Sequence, residues 1–178
     1  MMSSALESIL LSTKYYAPES WVPGKSTEIA RQINGFVRDS NEAAMLIAYM
    51  ICDSNGFRVT IESGGAGTFH APYYGRGYIK LCWRSNYEEA SRDLCDPRIL
   101  HNPDVINSSV ELCTRVSIWY WEKKIRPVLA RSARKTFFDV TKIFNPGADK
   151  GSTYVAERYS VYCQAARVLG VTNLIPCA

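Results

Sequence analysis

Two carboxylates make the first chemical suggestion in this chain. Asp53 closes an almost wholly apolar run, and Glu62 follows nine positions on, where Phe57, Val59 and Ile61 alternate with Arg58, Thr60 and Glu62. A helix that ends in one carboxyl, followed by a strand that carries another, can present the pair across a cleft. Glycosidic bond cleavage needs such a pair: one acid protonates the leaving oxygen, and one carboxylate acts on the other face of the sugar. With inversion the carboxyls stand roughly 6.5–9.5 Å apart, leaving room for a water. Taken alone the spacing says little, because surface carboxylates nine residues apart are commonplace.

The aromatic residues add to this. Tyr73, Tyr74 and Tyr78 surround Gly75 and Gly77, with Trp83, Trp119 and Trp121 further on. Sugar rings stack on such side chains, while Asn and Arg bind hydroxyl and acetamido groups. Trp119-Tyr120-Trp121 lies inside a long helical pattern, however, and reads as core before it reads as a ligand platform. Other chemistries lack their signatures: no GxSxG elbow, no P-loop, and no GxGxxG after a strand. His70, in a glycine-rich loop, reads as simply exposed.

The elements that must position these residues are mostly helical. Ala5 to Ser12 is a short helix candidate, and Ser26 or Thr27 can cap a second that carries Ile29, Ile33, Phe36 and Val37 on one face. Glu42 to Cys52 is apolar nearly all round, which predicts a buried central helix. The period-two pattern over 57–62 predicts a short strand, and Ser63 to Gly67 a flexible loop. Helical texture returns at Asn86 to Leu94, Ser109 to Arg126, Lys135 to Phe144 and Thr153 to Leu169. The expected fold is mainly α, a helical domain with one small β excursion beside which the chemistry sits.

The chain has 178 residues, 47% hydrophobic and 21% charged, with a net charge of +4. That size fits one domain spanning 1–178. The charge is too weak to imply nucleic acid, and the cluster Lys123, Lys124, Arg126, Arg131, Arg134 and Lys135 reads as a solvated helix face and turn. No run is long and apolar enough to span a bilayer. The six cysteines are compatible with disulfides and an oxidising compartment. They contain no CxxC pair, and with only two histidines a structural zinc site is not expected. The thiols point to action outside the cell, although the first residues do not resemble a signal peptide.

An ordered set of motifs resembles glycoside hydrolase family 19, the chitinases. Tyr73-Tyr74-Gly75-Arg76-Gly77-Tyr78-Ile79-Lys80-Leu81, followed by Ser85-Asn86-Tyr87, is similar to the signature YYGRGPIQL with its later NY. Asn102-Pro103-Asp104, Trp119-Tyr120-Trp121, Ile143-Phe144-Asn145-Pro146-Gly147 and Val155-Ala156-Glu157-Arg158 with Leu169-Gly170-Val171 follow in the family's order. The resemblance implies a lysozyme-like, bilobal, mainly helical fold. It also implies inverting hydrolysis of β-1,4-linked N-acetylglucosamine polymers, without metal or organic cofactor, by a monomer in a shorter, endolysin-like form.

Carried over position by position, the resemblance makes Asp53 the acid and Glu62 the base. Tyr74, Lys80, Cys82, Asn86 and Asn145 become substrate contacts, and Arg76 and Arg158 hold the cleft. Three positions depart from the family: Asp53 stands for Glu, Lys80 for Gln, and Cys82 for Ser or Thr. They open an alternative, a chitin-binding protein with little or no turnover. A peptidoglycan-degrading endolysin is a third reading. Cys163 and Cys177 are expected to be able to bridge the last helix to the tail.

Overall fold

The computed structural model describes residues 3–131 and 136–178. Arg134 and Lys135 of the basic cluster, and the first position of the helix expected from Lys135, lie outside them.

The organising element is a central helix, α3 (Ser40–Asp53), following α1 (Ser3–Leu11) and α2 (Lys25–Phe36). Every residue from Ala43 to Ile51 is buried, so α3 has no solvent face, as its all-round apolar sequence requires. Asp39 starts it by accepting the Glu42 N–H at 2.8 Å. At α2 the capping expectation fails. The N-cap is Gly24 at φ +81°, and Ser26 is a buried residue inside the helix whose hydroxyl donates to Glu7 at 2.5 Å.

Further along come α4 (Arg84–Asp93), α5 (Arg98–His101) and α6 (Val110–Tyr120). The last continues through a π-helical stretch, Trp121–Ile125, into α7 (Arg126–Arg131). Then come α8 (Phe137–Phe144) and α9 (Thr153–Val168), the latter packed along α3. The N-terminus of α8 is closed twice over. Thr136 and Asp139 form a capping box, and the chain's tail supplies the Pro176 and Cys177 carbonyls to the Phe137 and Phe138 N–H groups at 2.8 and 2.9 Å.

Two apolar clusters give the molecule its lobes. The larger surrounds α3, and the smaller gathers Leu81, Tyr87, Ala90, Ile99, Ile106, Leu112, Val116 and Trp119. Helix α6 serves both, with Val116 and Trp119 facing the small cluster, Ile118 the large one, and Trp121 just beyond it extending the large-cluster face. Trp119 and Trp121 are therefore core residues, as their position in a long helix suggests, while Tyr120 between them is only partly buried.

The expected strand over 57–62 is not formed. Asn55, Gly56 and Phe57 run consecutively at φ +50°, +71° and +64°, a left-handed turn that no strand can contain. Phe57 adopts it because its ring is held between Trp21, stacked at 5.6 Å, and Tyr78, edge-on at 5.2 Å. Val59 and Ile61 are correspondingly exposed, at 44% and 46%. The β excursion shrinks to single bridges, Ile61 with Arg76 and Arg76 with Leu81. Among the described residues no helix is long and apolar enough to cross a membrane.

Candidate active site

The C-terminus of α3 delivers Asp53 into a buried ion pair with Arg158 of α9. The Arg158 guanidinium lies 3.4 Å over the Tyr154 ring, so the cation is held on two sides before it meets the carboxylate. Burial is the largest influence on Asp53 and raises its pKa, against the opposing pull of Arg158 and Lys80. An acid that must hold a proton is favoured by that direction.

Glu62 is built differently. The short pairing of its segment with 75–77 fixes it: the Glu62 N–H donates to the Gly75 carbonyl at 2.8 Å, and the Gly77 N–H to Thr60 at 2.9 Å. The Gly75 N–H then donates to the Glu62 side chain at Oε2, again at 2.8 Å. A side chain at position 75 would not fit, because its Cβ would lie 3.0 Å from the Cβ of Lys80 and 3.1 Å from that of Glu62. The glycine therefore allows Glu62 and Lys80 to approach. The Glu62 side chain is 39% exposed, and it takes no hydrogen bond at Oε1 among the described residues.

Lys80 stands between the two carboxylates electrostatically, acting on both. Its backbone is left-handed, at φ +54°, and its Nζ donates to the Val59 carbonyl at 2.5 Å. Burial lowers its pKa to about 8 although Asp53 and Glu62 both oppose the shift. Lys80, Cys82 and Asn86 line one recess of about 230 Å³ with Trp83, Tyr120 and Phe144. Burial pushes the Cys82 thiol up to about 11, with Glu62 adding to the shift, so the group is a neutral thiol. The Asn86 amide donates to the Cys82 carbonyl at 2.8 Å. Asn145 caps α8 at the rim, its Oδ1 accepting the Gly147 N–H at 3.1 Å.

The signature residues Tyr74 and Arg76 serve the frame. Arg76 is 2% exposed and donates to Asp104 at 2.9 Å, to the Pro72 carbonyl at 2.7 Å and to the Tyr87 hydroxyl at 3.1 Å. Tyr74, read from the motif as a sugar contact, has Arg76 3.7 Å over its ring and Gly65 packed against it. The structure thus brings Asp53 and Arg158 together, and Glu62, Gly75 and Lys80 together. Tyr74 lies beside Arg76 and Gly65 and is partly buried.

Sequence reasoning missed the residues next to Glu62. His70 is not exposed: its side chain is 14% accessible, and its Nε2 lies 3.5 Å from the Glu62 Oε2. Phe69, 87% exposed, and Trp83, 47% exposed, complete a group of three rings with centroids 5.1–5.4 Å apart. The only signal was that one of the chain's two histidines lies just ahead of the YYGRG motif.

The cysteines also differ from expectation. All six are free thiols. Cys163 and Cys177 remain unbridged, and the Tyr159 hydroxyl, one turn before Cys163, donates to the Ile175 carbonyl at 3.2 Å.

A two-lobed helical domain with a buried carboxyl at the end of its central helix and an open one on the adjoining loop is a lysozyme-like architecture. The family 19 glycoside hydrolase model, described as chitinase class I, matches residues 65–134. An endochitinase of Arabidopsis thaliana is 34% identical over 102 residues, covering 56% of this chain and 34% of the relative. A basic endochitinase of Brassica napus is 27% identical over 128 residues, covering 72% and 41%. The chain thus spans between about a third and two fifths of the length of these relatives. Chitinase C from Streptomyces griseus superposes with a TM-score of 0.73 at 19% identity, over 98% of this chain and 96% of that one. A class IV chitinase from Zea mays gives 0.73 at 17% identity, over 97% and 94%. In sequence over residues 65–134 and in fold over nearly its whole length, the chain is similar to the chitinases of glycoside hydrolase family 19.

Proposed function

We propose that this protein hydrolyses β-1,4-linked N-acetylglucosamine polymers with inversion, Asp53 acting as general acid and Glu62 as general base. The observation that carries the reading is the contrast between the two carboxyls. One is buried with its pKa raised, and the other is open and oriented by a backbone N–H. Two carboxyls in unlike environments are how a single fold runs acid and base chemistry at one pH. Asp53 protonates the leaving glycosidic oxygen while Glu62, through its uncommitted Oε1, takes a proton from the attacking water. Lys80, Cys82, Asn86 and Asn145 supply polar contacts in and around the recess, and the exposed faces of Trp83 and Phe69 offer sugar rings an apolar platform. Arg76 and Arg158 hold the frame, and Tyr74 braces Arg76.

The test is turnover of a soluble N-acetylglucosamine oligomer by the wild type and Glu62→Gln. Cleavage with inverted product, lost by at least about 100-fold in the variant while oligomer binding persists, is the expected result. Equal turnover in both removes Glu62 from the mechanism. A second reading, a chitin-binding protein without catalysis, draws on one observation: the Asp53 carboxylate is already engaged by Arg158. Binding without any cleavage by the wild type would decide for it.

A further inference from the structure

His70 is a partly buried residue whose ring has no explanation in the fold. Both of its ring nitrogens are buried and lack a hydrogen-bond partner among the described residues. An unpaired buried imidazole is unfavourable, and folded proteins retain such groups where something else uses them. The ring is not loosely placed. Phe69 meets it edge-on at 5.1 Å, and Trp83 lies at 5.1 Å on a neighbouring segment. That clamp aims Nε2 at the Glu62 Oε2, 3.5 Å away, a few tenths of an ångström beyond a hydrogen bond.

We propose that His70 is the positioning residue for Glu62. Its Nε2–H closes onto Oε2 beside the Gly75 N–H, so that two donors fix one carboxylate oxygen and leave the other to face the reacting water. The two donors reach Oε2 from different segments, one from the 65–70 loop and one from the 75–77 turn. Together they set the carboxylate's rotation, which neither could do alone. Phe69 and Trp83 expose their outer faces, so a sugar ring that settles on them presses the histidine toward Glu62 and couples occupancy of the platform to alignment of the base.

The catalytic consequence rests on Glu62 being the base, whereas the pairing itself does not.

The test accordingly has two arms. Nuclear magnetic resonance of the two histidine rings, in wild type and Glu62→Gln, reads the pair without any turnover, and exposed His101 serves as the internal control. The His70 Nε2–H proton is expected to move upfield in the variant, where its acceptor changes from a carboxylate to a neutral amide, while the His101 signals stay in place. An unchanged His70 Nε2–H signal overturns the pairing, even in an active enzyme. In the second arm His70→Phe keeps the ring stack and loses the donor, and His70→Gln restores a neutral donor. His70→Phe should lower kcat by about 10-fold or more at nearly constant KM, with His70→Gln recovering kcat. Wild-type kcat in His70→Phe, or a change in KM alone, overturns the positioning role. A wild type without turnover instead overturns the reading of Glu62 as a base and leaves the His70 Nε2–H signal to decide the pair.

Discussion

Lys80 and Asp53 hold each other's protonation in tension. The cation lowers the Asp53 pKa, working against the burial that raises it, and burial brings Lys80 itself to about 8. An acid catalyst works only below its own pKa, so in the proposed mechanism the alkaline limb of kcat/KM follows Asp53. Replacing Lys80 by Gln removes the cation, raises Asp53 further and should move that limb upward. A pH profile identical to wild type would separate Lys80 from the acid. Gly75 makes a sharper geometric test. In Gly75→Ala the new methyl meets the Cβ atoms of Lys80 and Glu62 at 3.0 and 3.1 Å, which requires both to shift. Because misplacement on the scale of an ångström can cost about 100-fold in rate, kcat should fall far more than the melting temperature.

At the scale of elements, the site depends on how α3 is anchored at the end away from Asp53. Glu42 in its first turn accepts from Trp121 Nε1 at 2.9 Å and Arg126 Nε at 2.7 Å, tying α3 to the long helical run that joins the lobes. It also accepts the Arg38 N–H at 2.7 Å. Desolvation is the largest influence on Glu42 and raises its pKa, but Arg126, the Arg38 N–H and Trp121 together hold it below 4.5. Its contribution to stability is therefore present above that value and is lost as the pH falls through the depressed folded value. Glu42→Ala leaves the buried Trp121 Nε1 unpaired and Arg126 with only the longer contact to Glu122 and the Phe36 carbonyl, and should cost about 3 kcal/mol in denaturant unfolding. Asp39→Ala removes only the N-cap and should cost about 1 kcal/mol. If the two variants lost the same amount, the Glu42 network would be adding nothing beyond capping.

The whole molecule is held by its two apolar clusters and by helix ends closed from within, not by covalent cross-links. With six free thiols, its stability is independent of the redox state of the solution. Adding a thiol reductant should leave the thermal midpoint unchanged within about 1 °C. Removal of a native disulfide costs about 2–5 kcal/mol, which in a chain of this size lowers the midpoint by several degrees. A drop of that size on reduction would show that a bridge such as Cys163–Cys177 forms in solution.

The division between what was legible in the sequence and what was not follows from the range of the forces. Period 3.6 and all-round apolarity identify helices because they record which faces are buried. The central helix, the long α6 run and α9 were readable for that reason to within a few residues. Asp53 and Glu62 were singled out through the end of that helix and a motif. The strand expected at 57–62 was not, because its alternation reflected a turn whose Phe57 is held by Trp21 and Tyr78, residues distant in the chain. Packing of that kind leaves no local period. The same holds for the contacts that tune the site. Arg158 reaches Asp53 across 105 positions, Gly75 reaches Glu62 across 13, and His70 approaches Glu62 from a loop that looked exposed. The sequence by itself determined a helical, lysozyme-like frame and the two carboxyls it carries. Only the tertiary structure decided which carboxyl is buried and which is open, since burial and charge are properties of neighbours brought together by folding.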